Sequence, residues 1–242
     1  MKYVIINGSP RRKNTWKMVN QAKSNLEGDF EEIDLILEQI PMCIGCNNCI
    51  MENEYKCPHS DKIQPIIDKI KSSDGIIITS PVYALNVSGL LKNFIDHTAY
   101  IYHRPEFFTK KALIVVSTAG SGHMGVAKYI DETLRHWGVN KTYKITYRCG
   151  GKDSIDVEAI DKISKRFNDD VKSGKLHNPK FGDIIFYNVW RAMAASDSPL
   201  KSDRDYWIKT DLINNDFAPE VRLNIVKKAF SKVMFFILKK VL

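Results

Sequence analysis

The chain has 242 residues, 44% hydrophobic and 26% charged, a balance ordinary for a globular protein and unlike disordered or collagen-like compositions. Its 36 Lys and Arg against 28 Asp and Glu give a formal net charge of +8, which suits an anionic cofactor, nucleic acid or a membrane surface, depending on where the charge lies. No stretch approaches the roughly 20 uninterrupted apolar residues of a bilayer span, and the chain opens in a strand rather than a secretory leader, so a cytoplasmic location is expected.

Residues 2–7, Lys-Tyr-Val-Ile-Ile-Asn, form a short β-branched run that flows into Gly8-Ser9-Pro10-Arg11-Arg12-Lys13-Asn14-Thr15. A strand, a polar loop and a helix in that order leave backbone N–H groups free at the helix start, where an anion can sit. The loop is neither G-x-x-x-x-G-K-[ST] nor G-x-G-x-x-G, so it supports neither an NTPase nor a dinucleotide fold. A helix is predicted over 16–26 and a second strand over 30–37. Then Cys43, Cys46, Cys49 and Cys57 crowd into fifteen residues. In a reducing compartment such crowding points to metal or redox chemistry before disulfides. A helix over 61–72 leads to the apolar strand 76–79, which ends at Ser80-Pro81-Val82-Tyr83. Further helices are predicted over 88–100, 124–136 and 155–171. Strands are predicted over 111–117, ending at Thr118-Ala119-Gly120-Ser121-Gly122, and over 141–149.

Five strands alternating with five helices predict a parallel sheet covered on both faces, because parallel strands need right-handed crossovers. The loops at Gly8, Ser80 and Thr118 then share the carboxyl edge and converge. A flavodoxin-like α/β three-layer sandwich, sheet order 2-1-3-4-5, fits five strands with an anion loop after the first. Residues 1–178 are expected to form this domain, with 179–242 a helical C-terminal extension. Its last part, 219–242, is a basic amphipathic stretch with six basic residues against Glu220 alone. Val226, Phe230, Val233, Ile237 and Val241 share one helical face there, expected to pack on the main domain or a second subunit, with peripheral membrane contact the alternative. Nucleic-acid binding is not expected, since the charge has no interleaved aromatics or recognisable motif.

Gly8-Ser9-Pro10-Arg11 with Asn14-Thr15, then Ser80-Pro81-Val82-Tyr83 continuing into Leu91-Lys92-Asn93-Phe94-Ile95-Asp96, resembles the NADPH-dependent FMN reductases over roughly the first three quarters of the chain. The resemblance implies FMN as cofactor, NAD(P)H as electron donor and a homo-oligomer. It places the FMN phosphate among Ser9, Arg11, Asn14 and Thr15, and the ring beside Pro81, Val82, Tyr83, Ala84, Leu85 and Asn86. Thr118, Ala119, Gly120, Ser121 and Gly122 close the far end. The bland reading of each loop is an ordinary βα connection; their conjunction argues against it.

Cys43, Cys46, Cys49 and Cys57 have the spacing C-x2-C-x2-C-x7-C, which resembles the iron-sulfur flavoproteins and implies a [4Fe-4S] cluster exchanging single electrons with FMN. A zinc site and four free thiols remain the alternatives. Cys149 reads as a small buried hydrophobe. His103 and His123 could line the cofactor mouth, though each more often faces solvent or caps a helix, and no catalytic side chain is expected, since the flavin carries the chemistry. The expected activity is an oxidoreductase passing electrons from NAD(P)H through FMN to a small acceptor or redox partner. The alternatives are an electron-transfer protein serving a ferredoxin-type partner, and a flavin-binding module acting at a membrane.

Overall fold

Strands β1 (Lys2–Asn7), β3 (Gly75–Pro81) and β4 (Lys111–Thr118) are buried along nearly their whole length, which is why they read as continuous apolar runs rather than alternating ones. A computed structural model describes residues 1–150, 155–197 and 199–242. In it β2 (Asp29–Asp34) and β5 (Lys141–Arg148) complete an all-parallel sheet in the order β2-β1-β3-β4-β5. The two edge strands carry the charges, as exposed edges require. β2 stops at Asp34 rather than at residue 37, because 35–39 turns and Gln39 takes a left-handed φ of 49°.

Successive side chains of a strand point to opposite faces, so each central strand feeds two cores. Tyr3, Ile5, Ile77, Leu113 and Val115 meet Met18 and Val19 of α1 (Asn14–Lys23) and Phe167 of α7 (Val157–Ser173). Val4, Ile6, Ile78 and Ile114 meet Ile67 of α3 (Ser60–Ser72), Leu91 and Phe94 of α4 (Gly89–His97) and Ile130 of α6 (His123–His136). Each such side chain contributes roughly 1.5–3 kcal/mol by leaving water. This is the flavodoxin-like three-layer sandwich. The helix expected over 88–100 breaks at Thr98 and Ala99, and α5 (Tyr100–His103) follows as a separate turn. The cysteine segment is not all loop: it holds α2 (Asn48–Met51) and a 3-10 turn at Glu54–Lys56.

The later part of the chain forms α8 (Phe181–Ala194), α9 (Lys201–Lys209) and α10 (Ile225–Val241) around a third core of Ile184, Tyr187, Trp207, Leu212 and Phe217 packed on Phe108. Buried polar ends are satisfied locally: Tyr187 Oη donates to Leu212 O at 2.8 Å, and Trp207 Nε1 to His103 O at 2.9 Å. α10 docks on α8, but not through the expected face. Ser231 is its buried residue and Phe230 is half-buried, while Val226, Val233, Ile237 and Val241 are exposed. Among the described residues, no helix is long and apolar enough to cross a membrane.

Candidate functional site

The carboxyl ends of β1, β3 and β4 lie in register, with Asn7 opposite Thr79 and Pro81 opposite Ser117. Asn7 organises the first loop: its amide donates to Asp34 Oδ1 at 2.6 Å, and its carbonyl accepts from Ser9 N and Thr79 Oγ1 at 3.1 and 2.9 Å. Gly8 is required by proximity, since a Cβ there would stand 2.7 Å from Thr79 O and 2.8 Å from Leu91 Cβ. Ser88 donates to Gly8 O and also caps α4, so the first loop and that helix start are tied together. Thr15 Oγ1 lies 2.5 Å from Ser117 Oγ, which ties the start of α1 to the end of β4.

A cavity of about 210 Å³ opens where these ends meet. Ser9, Arg11, Asn14, Thr15, Pro81, Val82, Tyr83, Thr118 and Ala119 line it, as the sequence led one to expect, and so do Lys13, Ser117 and Cys149. No side chain caps the start of α1, so its first N–H groups are left for a ligand. Arg11 reaches to 3.5 Å from the Tyr83 hydroxyl across the mouth. Arg12 turns away: it pairs with Asp34 at 2.6 Å and Glu32 at 3.0 Å and lies over the Trp16 ring.

Ala84, Leu85, Asn86, Gly120 and Gly122 do not line the cavity but follow its lining residues Tyr83 and Ala119 in the chain. Tyr83 and Asn86 exchange both backbone hydrogen bonds around Ala84 and Leu85, which adopt left-handed φ of 48° and 62° without being glycine. Two such residues in succession are strained, a feature that clusters at ligand clamps. Gly122, at φ 89°, lets the third loop abut this turn: a Cβ there would sit 3.1 Å from both Val82 and Leu85 side chains. His123 follows at the start of α6 with its Nδ1 buried and without a hydrogen-bond partner among the described residues.

All four clustered cysteines line a second cavity of about 310 Å³, together with His59, Asp96 and His97. The segment is held from both sides. Asn93 of α4 accepts from Cys43 N at 2.9 Å and donates to Ile40 O and Pro41 O at 3.2 and 3.1 Å. His97 Nε2 donates to Pro41 O at 2.9 Å, leaving Nδ1 3.6 Å from Cys57 Sγ. From the other side the buried Arg104 donates to Cys49 O and Glu54, and lies 3.3 Å from Asp203 of α9. Ser202 donates to Ile50 O at 2.7 Å.

Burial, and after it the neighbouring cysteines, push the Cys49 thiol up; burial does the same to Cys57. Four thiols crowded this way gain from a cationic centre that takes them as thiolates. Among the described residues no three or more His, Cys, Asp or Glu are gathered tightly enough for one metal ion. Among the described residues the four thiols share one cavity without being gathered as a metal site.

Chain comparisons agree with this geometry. The sequence pattern of the NADPH-dependent FMN reductases matches residues 1–143. An iron-sulfur flavoprotein of Archaeoglobus fulgidus is 35% identical over 144 residues, 57% of this chain and 64% of that protein. An iron-sulfur flavoprotein of Clostridioides difficile is 34% identical over 229 residues, 88% of this chain and 100% of that protein. The chain spans about half to two thirds of the length of several of the curated relatives it matches. A solved flavodoxin, WrbA-like protein from Agrobacterium tumefaciens shares the fold with a TM-score of 0.51 at 14% identity, over 72% of this chain and 99% of that one. With the pattern covering more than half its length, the chain belongs to the NADPH-dependent FMN reductase family.

Proposed function

We propose that the protein is a NAD(P)H-dependent flavin oxidoreductase that holds FMN at the three-loop edge and carries a [4Fe-4S] cluster on Cys43, Cys46, Cys49 and Cys57. The observation that carries the flavin reading is the convergence of Ser9, Arg11, Asn14, Thr15, Tyr83 and Thr118 on one cavity at an uncapped helix start. The terminal phosphate takes the Ser9–Thr15 donors and the Arg11 and Lys13 charges. The cavity is smaller than the roughly 300–1000 Å³ of a whole-ligand cleft, which suits a cofactor whose ring lies out over the rim. There the Tyr83–Asn86 turn and the Thr118–Gly122 loop orient the ring and shield it from water.

Bound FMN accepts a hydride from a reduced nicotinamide and releases electrons singly or in pairs. The protein's own residues position rather than exchange protons. A small-molecule acceptor and a homo-oligomer belong to this reading.

The cysteine cavity and the name of the relatives, iron-sulfur flavoproteins, favour a second reading, an electron-transfer protein serving a ferredoxin-type partner. Anaerobic addition of NADPH or NADH to the FMN-loaded protein separates the two. Rapid bleaching of the flavin supports the reductase, and bleaching by reduced ferredoxin alone assigns the carrier role.

A further inference from the structure

α10 is pinned to α8 by specific contacts. Asn188 donates to Ser231 Oγ at 2.8 Å with both residues buried, the Arg191 guanidinium lies 3.9 Å from the Phe235 ring, and Phe181 meets Phe230 edge-on at 4.9 Å. Half-buried Met234 and Leu238 accompany them. The orientation of the helix is therefore fixed, and it leaves an apolar row unpartnered. Val226, Val233, Ile237 and Val241 are 68, 55, 47 and 76% exposed. On α8, Phe181, which meets Phe230, is exposed as well, as are Ile185 and Met193. Apolar side chains exposed on two packed helices mark an interaction site.

We propose that this α8–α10 face docks in the plane of an anionic lipid bilayer. The charge pattern of α10 selects that occupant. Lys228, Lys232, Phe236 and Lys240 follow one i,i+4 row directly beside the row Ala229, Val233, Ile237 and Val241. Lys240 Nζ stands 4.1 Å over the exposed Phe236 ring, and no acidic residue follows Glu220. A helix with a solely cationic polar row beside an apolar one settles at the boundary between headgroups and acyl chains, with lysine stems reaching back to phosphates. Lys228 and Lys232 also line, with Arg222, a polar cavity of about 610 Å³ beside the 89% exposed Ile225, room for lipid headgroups. Asp216 in that cavity faces Arg191 at 3.7 Å. A second copy suits the face less well, since a two-fold contact through the apolar row brings two lysine rows together with no acid on either helix. At 17 residues the helix lies on a bilayer rather than across it.

The test is co-sedimentation of the full FMN-loaded chain with vesicles of pure phosphatidylcholine and of phosphatidylcholine containing one third phosphatidylglycerol. Binding at least tenfold stronger to the anionic vesicles is expected. It should weaken at high salt and fall about tenfold in the double variant Val233→Asp, Ile237→Asp and in the triple variant Lys228→Glu, Lys232→Glu, Lys240→Glu. Flavin content and sedimentation velocity of the variants, unchanged, show that they fold. No preference for anionic vesicles overturns the proposal. A dimer that falls apart in the Val233→Asp, Ile237→Asp variant also overturns it, assigning the face to a second copy.

Discussion

The backbone N–H of Cys43 donates to Asn93 Oδ1 at 2.9 Å. Asn93 stands five residues after Ser88, roughly 7 Å along the helix axis, and Ser88 caps the same helix while holding Gly8 O of the loop after β1. One short helix thus positions the first cysteine at one side and that loop at its end. Replacing Asn93 with Leu keeps the volume and removes three anchors of the cysteine segment. Iron per chain after reconstitution should fall by half or more, and protease should cut within residues 41–57 faster, while FMN uptake is retained. Unchanged iron loading and protection would show that the anchor is dispensable.

Arg11 and Arg12 are adjacent in sequence and opposite in role. Arg11 lines the cavity at the strand ends, proposed to take the phosphate, whereas Arg12 is engaged by Asp34 and Glu32 outside it. Arg11→Ala should weaken FMN binding about tenfold or more, the scale of one charge-assisted hydrogen bond at roughly 1.5–3 kcal/mol. Arg12→Ala should leave FMN affinity alone and cost about 1 kcal/mol of stability at most, since its ion pairs are part-exposed. Fluorescence titration with FMN and urea unfolding read the two effects separately.

The buried Arg104 ties Cys49, Glu54 and Asp203 together, so its removal leaves the buried Asp203 carboxylate with His103, whose Nδ1 lies 2.8 Å from Oδ2. Arg104→Met should destabilise the protein by about 1.5–3 kcal/mol, the scale of lost hydrogen bonds to a charged group. The double variant Arg104→Met, Asp203→Leu should recover part of that loss in denaturant unfolding, which a purely steric effect would not allow.

Burial raises the Asp131 carboxyl, but hydrogen bonds from Lys144 and Thr142 and the Lys144 charge outweigh it, so the group is held below the usual carboxylate range. A depressed folded pKa stabilises the protein above the unfolded value, about 3.9, and that contribution disappears as pH falls through the folded value. Asp131→Asn should therefore lower stability at pH 7, with the gap to wild type closing below about pH 4. Urea midpoints measured from pH 7 to pH 3 check the sign.

Much of the sheet was legible because β1, β3 and β4 are buried on both faces and announce themselves as unbroken apolar runs, and because their ends carry Gly8, Ser80 and Thr118. The cavity residues from those three loops followed directly. Ser117 and Cys149 escaped notice because nothing in their own neighbourhoods distinguishes a lining residue from a strand end; only the register of β3 with β4 and the turn at Cys149 bring them in. The packed face of α10 was misread for a different reason. That helix is apolar on more than one side, so periodicity alone admits several faces. The choice rests on Ser231 and Arg191 finding Asn188 and Phe235 across the contact. α8 and α9 gave little amphipathic signal, α8 because it buries Tyr187, Asn188 and Arg191 alongside aliphatic residues.

The central claim is that a monophosphate anchors the flavin at the start of α1. Equilibrium titration of the cofactor-free chain with FMN and with riboflavin, which differ only by that phosphate, tests it most directly. One FMN per chain is expected, bound about a hundredfold or more tightly than riboflavin, as several charge-assisted hydrogen bonds at roughly 1.5–3 kcal/mol each imply. Equal affinity for the two, or no uptake of FMN, would contradict it.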